Sequence, residues 1–198
     1  MRQETGSNLI IENRKVSIQV KFGGLSFSAE KISVPGEIEQ FECIIDTPRI
    51  ILAPREEVSL GTASELLRAV GKPCHSNEQS VCSELQADIV AVMAIDAKAL
   101  ASIVAKWGNR TTFTSPLLDM RHSEESCLTI DATERVCYLR LFNNGLQRAE
   151  AHDATTPEDV LYLVTEWLGN DKTTPIYIKG SIEIINLLRK YYKHVICE

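Results

Sequence analysis

Residues 126–153, SCLTIDATERVCYLRLFNNGLQRAEAHD, decide the fold, because they read as three consecutive antiparallel strands. The first, 127–131, alternates apolar and polar side chains. The second, 135–142, is almost continuously apolar through Val136, Cys137, Tyr138, Leu139, Leu141 and Phe142, as expected of a strand covered on both faces. Asn143-Asn144-Gly145 then supplies residues that tolerate positive φ in a tight hairpin, and Leu146 begins the return strand.

The chain beyond Asp153 is patterned to pack on this meander. Thr156-Pro157-Glu158-Asp159 is a helix start: threonine accepts a free amide of the first turn, proline fits the first helical position, and the acids meet the positive end of the helix dipole. Val160, Val164, Trp167 and Leu168 give that helix a buried stripe, and Gly169 ends it. A short strand at 175–178, the Gly180-Ser181 connection, a helix carrying Ile184, Ile185, Leu188 and Tyr191, and a strand at 194–197 complete a β-β-β-α-β-α-β order.

The first half can be read in the same order. Strands are expected at 15–22, where Val16, Ile18, Val20 and Phe22 alternate with polar residues, at 25–32 after the Gly23-Gly24 turn, and at 41–46. A further apolar stretch at 50–52 precedes a helix within 56–70, which Gly71 and Pro73 stop. Residues 75–83 read as polar and irregular, and 88–95, DIVAVMAI, as a strong strand. Asp96 caps a helix to Trp107 with Ala97, Leu100, Val104 and Trp107 on one face, and 111–114 is β-prone. The expected organisation is a flexible tail at 1–14, one lobe at 15–114, a hinge at 115–125 and a second lobe at 126–198. The two halves share an order of elements but no repeated residues.

Composition narrows the function. The 198 residues carry 27 acids against 21 bases, a net charge of −6 that repels a phosphate backbone and argues against nucleic acid as partner. No segment has the apolar length of a membrane span, and the N-terminus lacks a signal-peptide core, so a cytoplasmic location without membrane insertion is expected. Of the six cysteines, Cys127, Cys137 and Cys197 sit in apolar strand patterns as small hydrophobes. Cys74, His75 and Cys82 have a metal flavour but lack the second close ligand pair of a zinc site, so no metal is expected. The four histidines are scattered without a nucleophile partner, and Glu158 and Asp159 are neighbours on a helix, which do not face each other. No catalytic residue emerges.

A β-β-β-α-β-α-β unit used twice resembles the ribonuclease-H-like duplication of the actin, sugar-kinase and heat-shock ATPase superfamily, and implies an α/β protein of two such lobes with a reduced actin-like ATPase fold. Within it, LTIDATERVCYLRLFNNGLQRAE is similar to the second phosphate loop of pilus-assembly and cell-division actin-like proteins, and PIYIKGSIEIINLLRKYYKHV resembles their strand-glycine-helix adenosine segment. VSIQVKFGGLSFS, NNGLQRAEAHDATTPEDVLYLV and IYIKGSIEIINLL together resemble an uncharacterised bacterial domain family assigned an actin-like fold.

The resemblance implies a candidate nucleotide cleft between the lobes. Asp131 matches the aspartate of the second phosphate loop, but Ala132 and Thr133 stand where glycines should follow. The aspartate-x-glycine of the first hairpin falls on Gln19, Val20 and Lys21, and the paired glycines of the adenosine segment on Gly180 and Ser181. Phosphates need close backbone amides, and hydrated magnesium needs a carboxylate. Asp131 is then a magnesium residue or an acid capping its turn; Gly180 admits adenine or eases a tight βα connection; Lys21 touches phosphate or is solvated. The eroded loops favour a non-catalytic scaffold without cofactor that binds another protein or forms a homodimer. The alternative is an ATP-binding protein or slow ATPase using ATP with magnesium.

Overall fold

The computed structural model describes residues 9–12, 15–20, 40–59, 61–84 and 87–198. The chain divides into two compact units, 1–115 and 116–198. Among the described residues no helix is long and apolar enough to cross a membrane.

The second unit is built on the meander. Strands β8 (Ser126–Ala132), β9 (Val136–Asn143) and β10 (Leu146–Asp153) pair antiparallel, and β11 (Ile176–Lys179) and β12 (Val195–Cys197) add parallel to them, giving the order β10-β9-β8-β11-β12. Asn144 and Gly145 both take positive φ, 49° and 126°, at the β9–β10 turn, and the register slips between Leu146 and Arg148 as a bulge that sharpens the local twist. Helices α3 (Pro157–Leu168) and α4 (Ile182–Leu188) bury one sheet face. Leu128, Ile130, Cys137, Leu139, Ile176 and Ile178 from the strands meet Val160, Val164, Ile184, Ile185 and Leu188 there. This is the expected β-β-β-α-β-α-β order. Its last apolar contact differs from expectation: the chain leaves the helix after Leu188, so Tyr192 is buried while Tyr191 stays 52% exposed.

The opposite sheet face is mixed, with Cys127, Tyr138 and Phe142 buried on it beside polar residues. Alternation puts Thr129, Asp131, Arg140, Tyr177 and Lys179 on it. Of residues 115–125, expected as a hinge, the segment from Pro116 onward is fastened to this face. The Pro116 carbonyl accepts from Arg140, Leu117 is buried, Asp119 pairs with Lys179 at 3.5 Å, and the His122 ring stacks on Tyr177 with centroids 4.0 Å apart. Pro116 marks the change of unit, but the charges after it are ion-pair partners rather than linker residues.

The first unit contains two sheets. One has the order β1-β2-β3-β7: β1 (Leu9–Glu12) is antiparallel to β2 (Lys15–Val20), and β3 (Gln40–Ile45) and β7 (Thr111–Thr114) follow in parallel. Leu9–Glu12 is therefore a strand, not part of a loose tail, and Phe41 lies on the expected strand, which runs parallel to β2. The expected strand at 25–32, the Gly23-Gly24 turn and Lys21 lie outside the described residues.

The other sheet, β4 (Ile50–Pro54), β6 (Ile89–Asp96) and β5 (Glu78–Cys82) in the order β4-β6-β5, is wholly antiparallel. Helix α1 (Ala63–Ala69) packs Ala63 and Leu67 against its Ala53, Val90, Val92 and Ala94. The apolar run 88–95 thus forms the centre of a separate small sheet. Its polar partner β5, read from sequence as irregular, is an edge strand held by backbone pairing with only Val81 fully turned inward. Helix α2 (Ala97–Trp107) starts where Asp96 accepts from the amides of Lys98 and Ala99. Its buried stripe is Ala99, Ile103 and Trp107, with Trp107 stacked on Phe41 at 4.7 Å. Val104, expected on that stripe, is 52% exposed, because the apolar positions at i, i+4 and i+8 from Ala99 are the ones that face the strands.

Candidate functional site

The five described residues of the candidate nucleotide site come together. Asp131 and Ala132 end β8 and Thr133 follows it, Gly180 and Ser181 follow β11, and the two strands are parallel neighbours with Asp131 in register with Lys179. The carboxyl ends of adjacent parallel strands are where α/β sheets usually bind ligands. Lys21 lies outside the described residues.

Each of the five has a local partner. Arg140 sits on β9 opposite Thr129, is only 2% exposed, and donates from Nε to Thr129 Oγ1 at 2.7 Å and from its terminal nitrogens to the Pro116 carbonyl and Asp131 Oδ2. Lys179 Nζ stands 3.5 Å from the other Asp131 oxygen. The Asp131 carboxylate thus meets a cation on each oxygen and does not cap the turn. Thr133 does that: its hydroxyl accepts from the Val136 amide at 3.1 Å and donates to the Val136 carbonyl at 3.2 Å. Ser181 is the N-cap of α4, with Oγ accepting from the Ile184 amide at 3.5 Å. A Cβ placed on Gly180 would meet the Ala132 Cβ at 3.3 Å, so the glycine permits a close approach of the two strand ends.

Arg140 is the residue that the sequence pattern does not single out. A single charge inside a strand buried on both faces has to be paired, and that rule points to a carboxylate within reach on a neighbouring strand. Beyond it, Lys179 links Asp131 to a wider network. Its Nζ is 3.5 Å from Asp119 and 3.7 Å from Glu198, while Arg121 binds Asp119 and, at 3.0 Å, Glu198. Burial raises the Asp119 pKa, but hydrogen bonds from Arg121 and the charge of Arg140 outweigh it and hold the carboxyl well below the usual carboxylate range.

His122 extends the network. Its Nδ1 lies 2.8 Å from Glu125 and its Nε2 2.6 Å from Glu198. Burial opposes protonation of the ring, yet the two carboxylates prevail and raise its pKa. Cys127, buried beside them on β8, has its thiol pushed up to about 11 by burial and by the charges of Glu125 and Glu198. Cys74, His75 and Cys82 do not gather in this way. The two thiols pack against the α1 cluster, and the His75 amide donates to Glu78.

No protein-family model matches the chain, and no curated protein matches it by sequence. Solved structures do. A Bacteroides thetaiotaomicron protein with an actin-like ATPase fold and unknown function superposes with a TM-score of 0.65 at 18% identity, over 80% of this chain and 68% of that one. The AlfA filament bound to AMPPNP aligns over 80% of this chain and 52% of that one at 14% identity, with a TM-score of 0.39. The cytoplasmic domain of EpsL, an inner-membrane component of the Vibrio cholerae type II secretion system, aligns over 77% of this chain and 73% of that one at 11% identity, with a TM-score of 0.38. The first of these identifies the fold of this chain as the actin-like ATPase fold.

Proposed function

We propose that this chain is a non-catalytic actin-like-fold protein with a degenerate nucleotide site, which works by associating with another protein or with a second copy of itself. One observation carries the reading: the Asp131 carboxylate, which matches the magnesium-linked acid of the fold's second phosphate loop, is paired with the buried Arg140 on one oxygen and faces Lys179 on the other. A carboxylate that orients hydrated magnesium needs its oxygens free for water or metal. Recruiting Asp131 to an ion would leave the Arg140 guanidinium buried without its counter-charge, at a cost of about 3–5 kcal/mol. The packing of Gly180 against Ala132 supports the same reading, since the space that a glycine opens is taken by a neighbouring side chain.

Isothermal titration calorimetry with magnesium-ATP tests it. The expected result is no binding heat at millimolar nucleotide, together with a concentration-dependent increase in mass by sedimentation velocity if the partner is a second copy. Micromolar binding overturns it in favour of an ATP-binding protein or slow ATPase, in which Asp131, Gly180 and Lys21 contact the nucleotide or its magnesium.

A further inference from the structure

We propose that Nδ1 of His122, the carboxylate of Glu125 and Sγ of Cys127 form a site for one divalent transition-metal ion of the zinc class, leaving a coordination position for water or another ligand. The three donor atoms lie within 4.8 Å of one another. Zinc bonds of ~2.0–2.3 Å place adjacent donors of a tetrahedron roughly 3.3–3.8 Å apart. The 2.8 Å separation of Nδ1 and Glu125 therefore opens slightly, and the thiol closes on them, through side-chain rotations about one turn. That turn is formed by the Glu125 amide bonded to the His122 carbonyl at 3.0 Å, and it leads directly into β8, which carries Cys127. A mixed nitrogen, oxygen and sulfur set suits zinc or cobalt(II) rather than magnesium or calcium, which take oxygen.

The surroundings have the form of a metal site's outer shell. A ligating histidine commonly gives its other ring N–H to a carboxylate, which fixes the tautomer, and here Nε2 lies 2.6 Å from Glu198. Glu198 is itself held by Arg121 at 3.0 Å. The Tyr177 ring stacks on His122 at 19° with centroids 4.0 Å apart, so the imidazole plane is held from outside.

An imidazolium bridging two carboxylates would account for His122, Glu125 and Glu198 without any metal. It gives no part to Cys127. Its sulfur nevertheless lies within 4.8 Å of both other donor atoms, and a dication bound there would displace the thiol proton, as metal binding to a thiol requires.

The test is a cobalt(II) titration of the full metal-free chain carrying Cys197→Ser, which silences the exposed thiol. The expected result is one equivalent of cobalt with a near-ultraviolet thiolate-to-cobalt charge-transfer band, displaced by zinc. Cys127→Ser should abolish the band, and Glu198→Gln should keep it while weakening affinity about 10–100-fold. Absence of the band in excess cobalt, or a band that survives Cys127→Ser, overturns the proposal. Should Cys127→Ser fail to fold, His122→Ala decides: unchanged cobalt affinity in that variant overturns the proposal equally.

Discussion

The Arg140 guanidinium reaches diagonally along the sheet from its place opposite Thr129 to the carboxylate of Asp131, two residues further along β8. Arg140 also bonds Thr129 and the Pro116 carbonyl, so one buried cation ties together β8, β9 and the segment that opens the second unit. Asp131→Ala removes its counter-charge but not the cation. A loss of about 3 kcal/mol is expected in urea denaturation without any nucleotide present, and Asp131→Ala combined with Arg140→Met should recover most of it. A single-mutant loss below about 0.5 kcal/mol would return Asp131 to the pool of free carboxylates.

Gly180 and Ala132 make a second test of the same strand ends. Gly180→Ala puts two Cβ atoms 3.3 Å apart, closer than they settle without one chain giving way. A destabilisation of about 1 kcal/mol is expected. Added to Ala132→Gly, the same substitution should cost less than it does alone, and a strictly additive pair would show that the contact is not what requires glycine.

The second unit was legible in the sequence because its signals are local. The Asn144-Gly145 turn, the Thr156 cap and the Ile176–Lys179 strand leading into Gly180 each declare themselves within a few residues. The first unit was less so. Its β5 has few apolar residues and is a strand only because β6 lies beside it, a pairing that no local pattern records. The candidate site divides likewise: Asp131, Ala132, Thr133, Gly180 and Ser181 were nominated by a resemblance read along the chain, whereas Arg140, Lys179 and His122 take part through partners remote in sequence.

The α3 cap is a full capping box. The Thr156 hydroxyl accepts from the Asp159 amide at 3.2 Å, and the Asp159 carboxylate accepts from the Thr155 and Thr156 amides at 2.9 Å each. Thr156→Ala should lower stability by about 1 kcal/mol, visible as a lower urea midpoint, while Thr156→Ser should leave it nearly unchanged. An unaltered midpoint in the alanine variant would place the helix start elsewhere.

The cysteines should differ sharply in reactivity. Burial, with a smaller contribution from Glu42, pushes the Cys43 thiol up to about 12, and burial with Asp131 does the same to Cys137. Cys197 is exposed. Brief maleimide treatment of the native chain followed by peptide mass mapping should label Cys197 and spare Cys43 and Cys137 until the chain is unfolded. Labelling of Cys137 in the native state would mean that the core between β9 and the helices opens readily.

Glu78 gives the first unit a dependence on pH. Burial raises its pKa, but hydrogen bonds from Arg49 and the His75 amide outweigh this, and the net shift is downward. Arg49 Nε donates to it at 2.9 Å, and the pair joins the approach to β4 with the start of β5. A carboxyl more acidic in the folded chain than in the unfolded one stabilises the fold at pH values above its unfolded pKa, about 4.3. That contribution is lost as pH falls through the lower folded value. The wild type should therefore be more stable than Glu78→Gln at pH 7, and the gap should close on acidification past the lowered folded-state pKa. Chemical denaturation of both proteins at several pH values measures this, and a gap that stays constant on acidification would mean that Glu78 acts through packing and hydrogen bonding rather than through its charge.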